Sequence, residues 1–260
     1  MARWRLPDGF RELSFSGARV LQGRLAARVR EEAVSAFVSL VAGADVAHGA
    51  GEDRANAAVV VWDVSRGEVV ETATASVEGH VTYVPGMLAW RELPALLAAF
   101  EKVSTWPQLV LVDAHGRAHP RRCGLACLLG LALDLPTVGC AKSVLVGRFG
   151  ELPETRGAHA PLWDGGEVIG AALRTRAGVR PVFVSVGHRV TLEDACSWVL
   201  RASRFRIPEP LRAAHAAASR LRAAQPPMPP PATLPSSPCA RGRRRTTARR
   251  RASPGAPRSR

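Results

Sequence analysis

The chain has 260 residues, 47% of them hydrophobic, which is enough to bury the core of one large domain or two small ones. Its formal net charge is +14, but nine arginines and no acid lie in residues 241–260 and no charge lies in residues 226–240, which leaves +5 for residues 1–225. With no apolar run of 18 residues and no apolar signal-peptide core, we expect neither a membrane span nor secretion, and a cytoplasmic location.

The first half of the chain predicts a helix, three antiparallel strands and a second helix. A tight-turn sequence, Ser65-Arg66-Gly67, separates the second and third strands as in a hairpin. Pro94 is expected to kink the second helix or to mark its first turn. The predicted elements are a helix over 17–35, strands over 37–45, Ala57–Asp63 and Glu68–Val77, and a helix over Leu88–Val103.

In the second half of the chain, short apolar runs typical of strands alternate with segments whose apolar residues recur at helical spacing. Thr191 is a good amino-terminal cap for its helix, with Asp194 three residues on. Strands that alternate with helices after an initial meander predict an α/β fold, a mixed sheet with helices on both faces. The predicted elements are strands Leu109–Val112, Pro136–Cys140, Val168–Arg174 and Val182–Val186, helices Arg121–Leu133 and Thr191–Arg201, and a final helix that carries His215.

Composition divides the chain into a globular domain, residues 1–223, and a tail, residues 224–260. Proline dominates the first part of the tail and arginine the rest, with almost no large apolar residue. Such a segment buries too little surface to offset the entropy of ordering, so we expect it to be disordered and basic. Its charge and the mildly basic body suit a polyanion such as nucleic acid.

Three acids stand in apolar contexts where a carboxylate is costly. Asp45 and Asp113 each close an apolar strand-like run, and Glu92 lies in the first turns of the second helix. Burying a polar group without a hydrogen bond costs about 2–7 kcal/mol of free energy. A half-buried carboxylate therefore destabilises the fold by several kcal/mol unless a cation or hydrogen bonds compensate its charge. Carboxylate oxygens are ligands of magnesium, so the pattern predicts a metal site.

Basic and aromatic residues surround these acids in the sequence. His115–Arg122, with Arg121 and Arg122 opening a helix, is typical of an anion-handling loop, against a solvated polar loop as the alternative. Tyr83 on a stiff proline turn suits a wedge between stacked bases, although a plain turn is the commoner meaning. Lys142 follows a strand and is expected at the same sheet edge as the aspartates, as is His188.

The remaining histidines and the cysteines carry weaker signals. His215 alone favours a surface residue over a ligand, and His48, His80 and His159 are expected in loops without partners. The five cysteines form no CxxC pair and indicate reduced core thiols. Cys123 and Cys127 are one helical turn apart, but zinc is disfavoured because partners at ligand spacing are missing.

Taken together, six segments resemble the endonuclease V family, the deoxyinosine 3′ endonucleases. The resemblance runs in consistent order over about residues 20–218 and leaves out the tail. The matching segments are Gly43–Val46, Tyr83–Glu92, Leu111–Arg121, Pro136–Lys142, Ser185–Arg189 and Arg206–Arg212.

The resemblance implies a ribonuclease H-like fold and hydrolysis of the second phosphodiester bond on the 3′ side of deoxyinosine. It implies magnesium, with manganese able to replace it, held by Asp45, Asp113 and Glu92, with His215 as a weaker candidate ligand. Lys142 completes the catalytic set by neutralising phosphate charge. The expected lesion-binding residues are Tyr83, Pro85, Gly86, Leu88, Gly116, His119, Arg121, Ser185 and His188.

Two other functions compete with DNA repair at this stage. An inosine-specific endoribonuclease needs the same acids, and the sequence does not separate the two because the pocket reads the base and not the sugar. A non-catalytic nucleic-acid-binding protein is disfavoured because the three acids and Lys142 are intact. We expect DNA containing deoxyinosine as the chief partner, with no membrane and no obligate protein partner.

Overall fold

The computed structural model describes residues 14–34, 37–48, 54–78 and 87–224, all within one compact unit. These residues form five helices and eight strands. The helices are α1 (Phe15–Ala26), α2 (Leu88–Phe100), α3 (Leu125–Leu133), α4 (Leu192–Arg201) and α5 (Glu209–Ala223). The strands are β1 (Leu40–His48), β2 (Arg54–Asp63), β3 (Glu68–Glu78), β4 (Leu109–Val112), β5 (Thr137–Ala141), β6 (His159–Asp164), β7 (Glu167–Leu173) and β8 (Val182–His188).

All eight strands belong to one mixed sheet, in the order β3-β2-β1-β4-β5-β8-β7-β6. The central strands β1, β4 and β5 are parallel, and every other pairing is antiparallel. Parallel neighbours end at the same edge, so the segments that follow β1, β4 and β5 meet there. We call this edge the site edge. The predicted mixed α/β fold, with three antiparallel strands at its start, is confirmed.

Helices cover both faces of the sheet. Ala44 and Val112 point into a core cluster shared with α1, α2 and α3. Val41 and Leu111, which alternate with them along the same strands, point instead toward α4 and the start of α5. The alternation along a strand therefore decides which helices a residue of β1 or β4 can contact.

Two glycines allow backbone to approach backbone near the site. A Cβ on Gly43 would lie 2.2 Å from the carbonyl carbon of Pro210, so glycine lets α5 rest directly on β1. A Cβ on Gly139 would lie 2.4 Å from the backbone nitrogen of Gly116, so glycine lets the loop after β4 cross β5. A side chain at either position would push these segments apart.

Several predicted boundaries are wrong. The first helix ends at Ala26, and α3 begins only at Leu125, because Arg122 has a left-handed backbone (φ 55°) and Gly124 is the N-cap. Strand β6 was not predicted, so His159 lies in a strand and not in a loop. Pro94 lies inside α2. The Thr191 cap is confirmed, since its hydroxyl accepts from the Asp194 backbone N–H at 3.1 Å.

No helix in the described part of the chain combines the length and the apolar character that crossing a bilayer requires. The residues of the predicted tail, apart from Ala224, lie outside the described residues.

Candidate active site

Asp45 and Asp113 lie side by side at the site edge, as predicted. The parallel register pairs Ala44 with Val112, so the residues that follow them are neighbours. The Asp113 backbone N–H donates to the Ala44 carbonyl at 3.0 Å and fixes this arrangement. Burial and then the charge of Asp113 raise the pKa of Asp45, although His215 and Lys142 oppose the shift. The carboxylate of Asp45 is therefore only partly compensated by the groups around it.

His215 joins the two aspartates from α5, 170 residues along the chain from Asp45. Its Nδ1 lies 2.7 Å from Asp45 Oδ2. Asp45, Asp113 and His215 each offer one ligand atom, and these atoms all lie within 4.8 Å of one another. We call these three residues the ligand cluster. Sequence reasoning undervalued His215 because a single histidine on a helix gives no sign that the helix packs against β1.

Lys142 follows β5 and reaches across to β4, where its Nζ contacts Asp113 Oδ2. Partial burial works against its charge, but the hydrogen bond and the charge of Asp113 outweigh this and raise the pKa of Lys142. Its side chain remains 46% exposed. Lys142 therefore lies at the same edge of the sheet as the aspartates, as the strand order predicted.

Glu92 approaches from the other face of the sheet, in α2. It lies outside the ligand cluster, and its Oε1 lies 2.7 Å from Nε2 of His48. Burial raises the pKa of Glu92, the contact with His48 opposes this, and the charges of Asp45 and Asp113 raise it further. Glu92 is therefore close enough to Asp45 and Asp113 for their charges to affect its pKa. The prediction of a loop for His48 is wrong, because β1 extends to this residue.

Neutral hydrogen bonds hold part of the loop between β4 and α3. The Gly116 backbone N–H donates to Ser185 Oγ at 2.9 Å, and Ser185 is fully buried in β8. His115 Nε2 lies 3.0 Å from the Ser143 carbonyl. His119 is buried, and its Nδ1 accepts from the Arg121 backbone N–H at 3.1 Å. Ser185 thus holds the backbone near the site, as predicted.

The arginines of this loop differ from the prediction. Arg122 does not open a helix, and its Nε donates to Glu167 Oε2 at 2.7 Å. Arg117 donates to Glu31 at 2.6 Å and to Glu167 at 2.7 Å. These ion pairs tie the loop to β7 and to the segment before β1, so both guanidinium groups are paired within the protein.

Arg121 has different surroundings, which sequence reasoning did not find. Its Nε donates to Oε1 of the buried Gln22 of α1 at 2.6 Å, and its Nη2 lies 3.6 Å from Sδ of Met87. Met87 is followed by Leu88, the first residue of α2. Gln22 gave no signal, because a lone glutamine in an exposed-looking helix carries none.

His188 does not lie at the site edge, and that prediction is wrong. Strand β8 is antiparallel to β5, so its carboxyl end lies at the opposite edge, where His188 pairs with Thr137. There the His188 ring accepts from the Arg30 backbone N–H at 3.3 Å, and its Nε2 lies 3.4 Å from Asp134. It is a buried structural residue that holds the chain before β1.

The predicted wedge residues Tyr83, Pro85 and Gly86 lie outside the described residues, as does His80. Among the residues that the structure describes, the cysteines are free thiols, and Cys123 and Cys127 are buried. Burial raises the pKa of Cys196 to about 12, so its thiol stays protonated.

The donor set of the ligand cluster fits a divalent cation. Two carboxylates and one imidazole are ligands of magnesium and manganese, and manganese accepts the nitrogen more readily. A cation would offset both the burial and the repulsion by Asp113 that raise the pKa of Asp45. The arrangement is suited to hold a metal ion beside an exposed lysine.

Comparison with known proteins agrees with this geometry. The family model for endonuclease V matches residues 23–216. An endonuclease V from Dehalococcoides mccartyi is 46% identical over 205 residues, 78% of this chain and 92% of the relative. The crystal structure of endonuclease V from Streptomyces avermitilis superposes with a TM-score of 0.78 at 42% identity and covers 83% of this chain and 96% of that one.

A third comparison includes nucleic acid. Endonuclease V from Ciona intestinalis, solved in complex with a 24mer DNA containing an inosine followed by a ribo-adenosine, is 26% identical. It superposes with a TM-score of 0.68 and covers 79% of this chain and 96% of that one. The family model matches most of the chain, and the Dehalococcoides relative is 46% identical to it. The chain therefore belongs to the endonuclease V family, a family of nucleases.

Proposed function

We propose that the protein is a DNA repair endonuclease that recognises deoxyinosine, formed by deamination of adenine. It hydrolyses the second phosphodiester bond on the 3′ side of the lesion with magnesium, and manganese can replace magnesium. The observation that carries this proposal is the ligand cluster, two aspartates and a histidine with ligand atoms within 4.8 Å of one another, beside an exposed lysine.

In this proposal Asp45, Asp113 and Glu92 hold the ion together with His215, and Glu92 reaches it from α2. When bound, the ion acts as a Lewis acid on the phosphate and lowers the pKa of an attacking water. Lys142 places a positive charge against the phosphate, where charge develops in the transition state. Its contact with Asp113 supports this role, because it fixes the ammonium group at the edge of the cluster.

Recognition of the base requires that it leave the stack. Extrusion costs a few kcal/mol and least at a weak pair such as those inosine makes. We assign the pocket to Gly116, His119, Arg121 and Leu88, with Ser185 holding the loop. The 3.6 Å contact between Nη2 of Arg121 and Sδ of Met87 supports this pocket, because it places the loop after β4 beside the start of α2.

Tyr83, Pro85 and Gly86 precede that point directly in the sequence, and in this proposal they form the wedge that fills the gap left by the base. Stacking on an aromatic ring contributes about 1–3 kcal/mol per base. Tyr83→Ala should therefore weaken binding to deoxyinosine duplex more than binding to undamaged duplex. Equal losses on the two duplexes would reduce Tyr83 to a turn residue.

The test is cleavage of matched duplexes that differ only in one deoxyinosine, with magnesium, with manganese and with chelator. The expected product is a nick whose length places the cut at the second phosphodiester 3′ to inosine. A cut elsewhere would overturn the assignment of the bond. Equal cleavage of the undamaged duplex would overturn the assignment of the lesion, and cleavage in chelator would overturn the metal dependence.

A second candidate is an endoribonuclease specific for inosine. The Ciona relative favours testing it, since its ligand carries a ribo-adenosine after the inosine. The same oligonucleotides made as RNA, and as DNA with one ribonucleotide after inosine, separate the two functions. Faster cleavage of the all-RNA strand at equal enzyme would make RNA the principal substrate.

A further inference from the structure

The last residue of β1 makes a contact that the proposed catalytic set does not use. His48 Nε2 lies 2.7 Å from Glu92 Oε1. The Glu92 side chain is 9% exposed and that of His48 is 25% exposed, so the pair is largely screened from water. A contact of this length between a carboxylate and an imidazole fixes the orientation of both groups.

Strand alternation explains how β1 serves two helices. Asp45 points toward α5, where it meets His215, and three residues later His48 points to the opposite face, toward α2. The same short strand end therefore supplies a member of the ligand cluster and the partner of Glu92. The two halves of the site are joined through the backbone of Asp45–His48.

The other ring nitrogen of His48 argues against a packing role. Nδ1 is buried and has no hydrogen-bond partner within the described ranges. A buried polar atom without a partner costs about 1–3 kcal/mol, so an apolar residue would serve packing better at this position. The polar contact that the imidazole makes in the described part of the chain is with Glu92.

We propose that His48 is a positioning residue that sets how Glu92 meets the metal ion. By binding Oε1 it restricts rotation of the carboxylate and holds one orientation toward Asp45 and Asp113. The inference rests on the proposed function, because it needs an ion in the ligand cluster. Groups that orient metal ligands typically change metal affinity about 10–100-fold when they are removed.

The experiment measures manganese binding to the full-length protein by calorimetry, without nucleic acid. His48→Phe keeps a flat ring but removes the donor, and its affinity should fall about 10–100-fold. His48→Gln retains an amide that can donate to Oε1 and should recover most of the loss. His159→Phe, the same change at the exposed start of β6, is the matched control and should bind as the wild type does.

A double-mutant cycle tests whether His48 acts through Glu92. In a Glu92→Gln background, His48→Phe should cause little further loss of manganese affinity, because the carboxylate that it orients is already gone. Additive losses would overturn the inference and leave a packing effect. Thermal unfolding of each metal-free variant checks folding, and if His48→Phe does not fold, His48→Leu, which also removes the donor, decides the same comparison.

Failure of the inference and failure of the proposed function give different results. Wild-type affinity in His48→Phe overturns the positioning role while the wild type still binds manganese and cleaves deoxyinosine DNA. Absence of manganese binding and of cleavage in the wild type overturns both. A loss in His48→Phe that His48→Gln does not recover also overturns the inference, because it shows that ring packing is what matters.

Discussion

Each edge of the sheet carries an aspartate beside a histidine, and the two pairs have opposite electrostatics. At the site edge, burial and the charge of Asp113 raise the pKa of Asp45, which His215 contacts. At the opposite edge, slight burial is outweighed by the hydrogen bond with His188 and by the charges of two arginines, which lower the pKa of Asp134. One acid lies among other acids, and the other is matched by cations.

The difference separates a functional carboxylate from a structural one with the same partner type. Arg30 and Arg189 contact Asp134 at 2.8 Å and 3.3 Å, so its charge is satisfied within the protein. At Asp45 the effects of His215 and Lys142 do not outweigh burial and the charge of Asp113, and a perturbed acid in a cluster of acids marks a site where an outside cation is expected. A histidine–aspartate contact alone therefore does not identify a catalytic centre.

The largest expected effect comes from removing the acids of the ligand cluster. Asp45→Ala and Asp113→Ala should lower cleavage of deoxyinosine DNA by about 10³-fold or more, because a metal ion contributes several kcal/mol to the transition state. Asp134→Ala should cleave at the wild-type rate. Single-turnover cleavage with magnesium measures this, and near wild-type cleavage by either site variant would remove that residue from the site.

Removing a cation should also lower the cleavage rate at the site edge and not at the opposite edge, by a smaller factor than removing an aspartate. Lys142→Ala should lower the cleavage rate by about 10²-fold, because one group that stabilises developing charge is lost. Arg189→Ala, which removes an arginine paired with Asp134, should leave the rate unchanged. Similar cleavage rates in the two variants would contradict a role for Lys142 in the reaction.

The free energy of unfolding extends the comparison, because a neutral hydrogen bond fixes Gly116 near the site edge. Ser185→Ala leaves the buried Gly116 N–H without its partner and should lower the free energy of unfolding by about 1–3 kcal/mol. The loss should not change with salt, since no charge is removed. Urea unfolding at low and high salt measures it, and a loss that vanishes in salt would contradict this account.

The smallest effect is expected at the opposite edge. Asp134→Asn should lower the free energy of unfolding by no more than about 1 kcal/mol, because its ion pairs are exposed and screened by salt. Since the pKa of Asp134 is lowered in the folded state, its contribution is present above the unfolded pKa of about 3.9 and is lost as the pH falls below it.

Thermal unfolding of wild type and Asp134→Asn between pH 7 and pH 3 measures this dependence. The difference between the two proteins should shrink as the pH falls. A difference that grows toward pH 3 would have the wrong sign for a lowered pKa.

The sequence predicted the centre of the site because its residues close apolar runs. Asp113 and Lys142 each follow a strand and Asp45 lies within β1, and the parallel order of those strands brings the three residues together. Strand ends and apolar runs are local properties, so they can be read before the fold is known.

Properties that depend on pairing between distant segments could not be read in this way. The placement of His188 was wrong because a strand pattern does not tell which way the strand runs in the sheet. The partner of Arg117 and Arg122, Glu167, lies 50 and 45 residues away. His48 was missed because β1 was expected to end at Asp45.

The packing of α5 on Gly43 has a consequence for how the protein is made. Asp45 is translated early, whereas His215 emerges 170 residues later, on the last helix described. A chain interrupted before residue 209 holds the two aspartates but lacks the helix that covers the Gly43, Ala58 and Val60 face of the sheet. In the proposed mechanism the site is therefore complete only after α5 has been made, and a chain that stops before residue 209 leaves this apolar face of the sheet uncovered.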